Sequence, residues 1–247
     1  MTLSPQIYLA SVLLEENRWR SRKPSFNLSD WMPRIDEAGF DGIELWENHL
    51  LLADAAEREA VRNHPLPVPI LNTYCAFDDD GAESRAASSE LARFLDVSGV
   101  KFNFGNDKTR EEEYIENLHA WRDELPEGCR LLCECHPYTI LEDIDDAVAV
   151  LAPLKGEIEI IVHAFGADDG TSLKRWLDAF GPAVTHIHAV LKNKSGAAER
   201  VAMLQEYGFN GTWAIEFCKG VAERPEDKTE LLANAAKDMK YLKELVS

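Results

Sequence analysis

Four short apolar runs in the sequence end on side chains that can bind a metal ion. They are residues 131–136 (Leu-Leu-Cys-Glu-Cys-His), 160–163 (Ile-Ile-Val-His), 184–188 (Val-Thr-His-Ile-His) and 213–217 (Trp-Ala-Ile-Glu-Phe). Apolar runs of this length are typical of buried strands whose last residues emerge at a sheet edge. We therefore predict one metal-binding cluster, formed by Glu134, His163, His188 and Glu216.

Eight strand-like runs alternate with amphipathic stretches along the chain. The runs begin near residues 6, 41, 68, 100, 130, 157, 183 and 211. The helical stretches cover residues 28–39, 51–63, 83–98, 109–125, 142–154, 171–180, 195–207 and 228–246. Eight such repeats in 247 residues predict a single (β/α)8 TIM barrel. A doubly wound open sheet is the competing interpretation, but no Gly-x-Gly-x-x-Gly turn follows the first strand to support it.

Composition narrows the domain organisation and the class of partner. The chain is 45% hydrophobic and has no Pro/Gly/Ser-rich linker, so we expect residues 1–247 to form one domain. Lys and Arg total 26 against 44 Asp and Glu, a formal net charge of -18. A field of this sign repels phosphate backbones and anionic lipids, so we expect a small-molecule partner and neither nucleic acid nor membrane. Assembly into a homo-oligomer is left open.

The N-terminal region and the cysteines predict a cytoplasmic protein. Residues 7–14 are apolar but shorter than the roughly 20 residues that span a bilayer. They lack the basic lead-in of a signal peptide. The five cysteines are an odd number with no small-scaffold spacing, which favours reduced thiols.

Strand periodicity predicts which side chains face the inside of the barrel, because successive residues of a strand point to opposite faces. In the fifth strand Glu134 and His136 share the inward face, while His186 and His188 do so in the seventh and Glu216 in the eighth. All of these lie near strand C-termini, where the active sites of TIM barrels are found.

Four phrases of the sequence resemble the xylose isomerase-like TIM barrels. They are residues 38–45 (Ala-Gly-Phe-Asp-Gly-Ile-Glu-Leu), 134–137 (Glu-Cys-His-Pro), 186–188 (His-Ile-His) and 211–216 (Gly-Thr-Trp-Ala-Ile-Glu). The group includes sugar isomerases, ketose 3-epimerases, dehydratases and endonucleases that cut at abasic sites. The resemblance implies one divalent ion held by Glu134, His163, His188 and Glu216. His163 stands where the family usually has Asp, and the softer imidazole favours Mn²⁺, Co²⁺ or Zn²⁺ over Mg²⁺.

The resemblance and the residue types together predict a metal-dependent isomerase or epimerase acting on a small sugar or sugar-derived keto compound. Glu134 and Glu216 are the predicted catalytic residues, which exchange a proton beside a carbonyl through an enediolate. A metal-dependent dehydratase or lyase on a keto sugar or cyclitol would use the same apparatus. A non-catalytic sugar-binding barrel, in which the site has decayed and His163 only hydrogen-bonds, is the alternative of another class.

Further inward-facing residues are candidates for substrate contact. For Glu44 the alternative is an ion pair inside the barrel, and for His186 it is packing or hydrogen bonding one layer below His188. The predicted substrate-binding residues are His136, Glu44, Trp46, Tyr74, Lys101 and His186.

Overall fold

The strands close into an eight-stranded parallel barrel in which each strand pairs with the next and the first pairs with the last. The structure is a computed structural model that describes residues 5–16, 22–166, 168–191, 194–221, 223 and 226–247. The predicted (β/α)8 TIM barrel is confirmed. The strands are β1 (Ile7–Ala10), β2 (Gly42–Trp46), β3 (Ile70–Asn72), β4 (Gly99–Phe102), β5 (Arg130–Glu134), β6 (Glu159–Val162), β7 (Val184–Val190) and β8 (Thr212–Phe217).

Helices connect successive strands and cover the outside of the barrel. The α-helices are α1 (Met32–Glu37), α2 (Asn48–Leu51), α3 (Ala55–Arg62), α4 (Ala82–Leu95), α5 (Glu111–Arg122), α6 (Ile144–Leu151), α7 (Thr171–Phe180), α8 (Ala197–Glu206) and α9 (Lys228–Val246). Short 3-10 helices cover Ser11–Leu14, Leu28–Asp30, Asp79–Gly81, Lys108–Arg110, Ala152–Leu154, Ala164–Gly166 and Gly181–Ala183. Across the described part of the chain, no helix combines the length and apolar character needed to cross a membrane.

Three of the predicted helical stretches are changed in the structure by a proline or by a new N-cap. The stretch at 28–39 becomes a 3-10 helix followed by α1, because Pro33 has no N–H and is accommodated only in the first turn of a helix. The stretch at 51–63 divides where the Asp54 side chain accepts from the Glu57 N–H and caps α3. At 142–154, α6 gives way to a 3-10 helix that contains Pro153.

Two apolar layers lie on either side of the strands. The larger one fills the space between strands and helices, and Cys133 and Cys135 belong to it as their outward phase predicts. The smaller one fills the barrel interior and contains Tyr8, Ala10, Val12, Trp46, Ile70, Leu132, Ile161 and Ala214. Polar side chains take over from this interior layer toward the C-terminal ends of the strands, where Glu134 follows Leu132 on the inward face of β5.

Candidate metal centre

The structure brings together the four side chains predicted to bind a metal. Glu134 ends β5, His163 directly follows β6, and His188 and Glu216 lie near the ends of β7 and β8. One ligand atom from each lies within 4.8 Å of the others. The Nδ1 atom of His188 is 2.9 Å from Glu134 Oε1 and 3.3 Å from Glu216 Oε2. The Nδ1 atom of His163 is likewise 2.9 Å from Glu134 Oε1, and it is 3.9 Å from Glu216 Oε2.

The side chains of the centre are buried except for that of His163, which marks its open side. Glu134, His188 and Glu216 are buried, whereas 25% of the His163 side chain is exposed. The half-buried His136 lies on this open side, in the loop after β5, with its ring centroid 4.7 Å from that of His163. A small molecule would therefore approach past these two imidazoles.

Glu134 is held by two polar groups from the end of β4. The Lys101 ammonium lies 2.7 Å from Glu134 Oε2, and the Asn103 amide donates to the same oxygen over 3.1 Å. Burial alone would raise the pKa of Glu134, but Lys101 and then His188 outweigh it and bring the pKa well below that of an ordinary carboxyl. Glu134 is therefore an anion whose second oxygen is already occupied by cationic and amide donors.

A second group of buried polar side chains lies behind His188. Glu44 Oε2 is 3.0 Å from His186 Nε2 and 3.2 Å from His188 Nε2, and the Asn72 amide donates to Glu44 Oε1 over 2.8 Å. Burial would raise the pKa of Glu44, but His188 and His186 lower it. Glu44 therefore contacts two imidazoles inside the barrel, and His186 bonds to Glu44 and to Thr212.

Glu216 differs from Glu134 in having a free oxygen. Its Oε2 atom is buried and makes no hydrogen bond to any residue that the structure describes. A buried carboxylate oxygen without a donor is costly unless a cation or water reaches it. Two carboxylates and two imidazoles form a donor set that suits a divalent transition metal. The group is therefore able to hold a metal ion.

The remaining predicted substrate residues differ in their access to the centre. Trp46 is buried at the end of β2 and packs edge-on against His49. Tyr74 lies next to the centre, with the Lys101 Nζ atom 4.3 Å from the centroid of its ring. Tyr74 also borders a cavity of about 210 Å³. The cavity is lined by Arg22, Tyr74, Cys75, Ala76, Phe77, Asp78, Asn103, Phe104, Gly105 and Tyr114.

Sequence reasoning missed two asparagines that complete the polar network. Asn72 is bonded to Glu44 and Asn103 to Glu134, and neither was among the predicted site residues. Asn72 follows Ile70 by two residues on β3, and Asn103 follows Lys101 by two residues at the end of β4. The period-two rule that placed the other inward residues would have found both.

Comparisons with known proteins agree with this fold. No protein-family model and no curated protein matches the chain. Among solved structures, 3-keto-D-glucoside 4-epimerase, YcjR, from E. coli aligns with a TM-score of 0.61 at 15% identity, covering 93% of this chain and 99% of that one. Endonuclease IV from Thermus thermophilus aligns at 0.59 with 17% identity over 88% and 94% of the two chains.

A third structure, the TTHB071 protein from Thermus thermophilus soaked with ZnCl2, aligns at a TM-score of 0.57 and 19% identity, covering 94% of this chain and 98% of that one. At such identities the likeness concerns the fold. The chain therefore shares the eight-stranded (β/α)8 barrel of these structures.

Proposed function

We propose that the protein is a metal-dependent isomerase or epimerase of a small sugar or sugar-derived keto compound. The observation that carries the proposal is the buried, unbonded Oε2 of Glu216, which lies beside Glu134, His163 and His188. A carboxylate oxygen free of donors is able to accept a proton, and the three neighbouring groups complete a set of metal ligands. The likeness to a keto-glucoside epimerase agrees with this chemistry.

Glu134, His163, His188 and Glu216 would hold the ion. When bound, the ion would supply Lewis-acid polarisation of neighbouring carbonyl and hydroxyl oxygens of the substrate. His136 and His163, on the open side, would contact the substrate hydroxyls at the entrance. The adjoining cavity offers the substrate room beside Tyr74 and Asn103.

Proton transfer is assigned first to Glu216. Its Oε2 takes the proton from the carbon beside the carbonyl, and the electron pair of the broken C–H bond passes into the carbonyl to give an enediolate. In an isomerisation Glu216 returns the proton to the adjacent carbon, while the proton of the neighbouring hydroxyl passes to the former carbonyl oxygen. In an epimerisation Glu216 releases its proton to solvent, and a second group delivers a different proton from the opposite face. Glu134 is the proposed donor, once it has taken up a proton from solvent. The Lys101 ammonium favours the charged form of Glu134 and so makes this carboxylate a weaker base than an ordinary carboxylate.

Elimination shares the first step of this reaction. If a leaving group lies on the carbon next to the enediolate, the electron pair expels it, and the proton held by Glu216 passes to the departing oxygen, which leaves as water or an alcohol. A dehydratase or lyase is therefore the second outcome that the same residues support. Phosphodiester cleavage is included in the test because one structural neighbour is an endonuclease.

The test measures metal binding first and proton exchange second. Elemental analysis of purified protein and calorimetric titration with Mn²⁺, Co²⁺, Zn²⁺ and Mg²⁺ should reveal about one tight divalent site, weakest for Mg²⁺. The loaded protein is then incubated in deuterium oxide with keto sugars, keto-glucosides and cyclitol ketones, alongside an abasic-site oligonucleotide. Deuterium uptake beside a carbonyl supports the proposal. Sugar binding without exchange, isomerisation or elimination under any metal leaves the binding-barrel alternative in its place.

A further inference from the structure

We propose that Glu44 is a positioning residue that holds His188 in one tautomer, with Nε2 protonated, so that Nδ1 is the atom offered to the metal. The inference rests on the metal centre of the proposed function and adds a residue from the opposite side of the barrel. Glu44 and His188 are 144 positions apart in sequence, yet their side chains are both fully buried and in contact.

Both ring nitrogens of His188 face carboxylates. The Nε2 atom is 3.2 Å from Glu44 Oε2, whereas Nδ1 is 2.9 Å from Glu134 Oε1 and 3.3 Å from Glu216 Oε2. A neutral imidazole has a single N–H. His188 can therefore donate toward Glu44 or toward the Glu134 and Glu216 pair, and it presents a lone pair to the other. Whether His188 can bind a metal through Nδ1 therefore depends on which ring nitrogen is protonated.

The hydrogen bonds around Glu44 assign that proton. An ionised carboxylate only accepts, so each polar partner of Glu44 must donate. Asn72 donates through its amide, and His186 and His188 both approach through Nε2. With Nε2 of His186 protonated, its Nδ1 is free to accept from the Thr212 hydroxyl at 2.7 Å. With this assignment both imidazoles donate to Glu44 through Nε2, and His186 Nδ1 accepts from Thr212.

The same assignment leaves the Nδ1 lone pair of His188 converging with two carboxylate oxygens. Three electron-rich atoms at one point are a ligand set for a cation. A carboxylate that accepts from the outer N–H of a ligating histidine fixes the ring orientation and raises the basicity of the ligand nitrogen, and its loss typically weakens metal binding about 10- to 100-fold.

An alternative arrangement would use the same residues differently. Glu44, His186 and His188 also bring ligand atoms within 4.8 Å of one another, which is close enough for an ion of their own. An ion there would require unprotonated Nε2 atoms and hence a proton on Nδ1 of each histidine. The two arrangements therefore predict opposite tautomers, and the tautomer can be measured without any variant.

The experiment uses full-length protein loaded with Zn²⁺. Long-range ¹H–¹⁵N NMR correlation spectra should give the Nε2–H pattern for both His186 and His188. Calorimetry on the Glu44→Ala variant should then find Zn²⁺ affinity about 10- to 100-fold weaker, with a smaller loss for Glu44→Gln because the amide oxygen still accepts one N–H. Circular dichroism melting checks that each variant is folded.

The matched control is Glu47→Gln. Glu47 is also buried and accepts hydrogen bonds, from the Tyr74 N–H and the Ser88 hydroxyl, but it does not contact the histidines of the centre as the structure describes them. Its change should leave Zn²⁺ affinity within about twofold of wild type. Protons on Nδ1, or unchanged affinity in Glu44→Ala, overturn the inference while the proposed function stands. A wild-type protein that binds none of the ions overturns both.

Discussion

Buried charges occur in two regions of this barrel, and the two regions treat them in opposite ways. At the C-terminal mouth, Glu44 and Glu134 face imidazoles or Lys101, and their carboxyl pKa values are lowered despite burial. Outside the barrel, Glu47 and Asp238 are also buried, but desolvation outweighs their partners and raises their pKa values. The mouth therefore favours the charged forms of Glu44 and Glu134, whereas burial in the outer layer disfavours the charged forms of Glu47 and Asp238.

This difference indicates what each region was selected for. A buried ion pair rarely adds stability over well-packed apolar residues, so a network of several such pairs in one place is poorly explained by folding alone. The mouth combines three carboxylates, two fully buried histidines and a buried lysine within a few strands. We interpret this density as a requirement of the site, and the predictions below test it.

The largest expected effect belongs to Glu216→Gln. The amide keeps an oxygen for the metal but cannot accept a proton, so we expect the rate of deuterium uptake to fall about 10²- to 10⁴-fold. The affinity for metal should change much less. Glu134→Gln is the comparison, because it loses the charge that pairs with Lys101 and should weaken metal binding and stability as well. Equal effects of the two changes on metal binding and turnover would contradict the assignment of Glu216 as the principal base.

Lys101→Met tests whether the Lys101 ammonium offsets the cost of burying the Glu134 carboxylate at the mouth. The change keeps the side-chain bulk but leaves Glu134 buried beside no ammonium, which should lower the free energy of unfolding by about 3 kcal/mol in the metal-free protein. Adding Gln at position 134 should restore part of this loss, with a coupling of about 1 to 3 kcal/mol. Urea denaturation of the two single variants and the double variant measures this coupling energy. Strictly additive losses would mean that the pair does not interact.

The third prediction concerns His163, the proposed ligand at which the sequence departs from the family that it resembles. His163→Asp adds a negative charge and a harder oxygen ligand, so we expect metal preference to move toward Mg²⁺ and Mn²⁺ by about tenfold relative to Zn²⁺. Calorimetry with each ion gives the ratio. The control is His136→Asn, which alters the neighbouring ring without removing a ligand. If the preference moves equally in the control, or fails to move in the variant, His163 is not a ligand.

Much of this arrangement could be predicted from the sequence because it depends on local periodicity. The eight strand starts and the inward phase of Glu134, His188 and Glu216 follow from alternation along single strands. Helix ends were less predictable where Pro33 and Asp54 introduce new starts inside an amphipathic stretch. In these places a local backbone requirement overrides the apolar pattern.

Contacts across the barrel could not be predicted in the same way. Periodicity indicates that Glu44 and His186 face inward, but not that they meet, since 142 positions and several intervening strands separate them. The pairing of Lys101 with Glu134 depends on the register between β4 and β5, which the sequence does not reveal. The contact partner of a side chain was therefore harder to predict than the face of the sheet on which the side chain lies.

The smallest expected effect lies outside the mouth, at Asp238 on α9. Burial raises its pKa to about 6, although Lys194, 3.8 Å away, opposes the shift. Because the folded-state pKa is above the unfolded value, charging Asp238 costs stability, and the cost grows as pH rises from about 4 to 6. Asp238→Asn removes this cost and should raise the free energy of unfolding by about 1 kcal/mol near pH 7, with little change near pH 4.

Asp178→Asn is the matched control for that measurement. Asp178 is exposed, and its hydrogen bond from Lys174 lowers its pKa, so its charge is favoured in the folded protein and the variant should gain no stability at neutral pH. Urea denaturation at the two pH values compares both variants with wild type. A gain in Asp178→Asn as large as that in Asp238→Asn would point to the net charge of the chain as the cause. A gain confined to Asp238→Asn would mean that burying the charge of Asp238 is what lowers stability. At the mouth, Lys101 and the imidazoles offset the same cost of burying a charge.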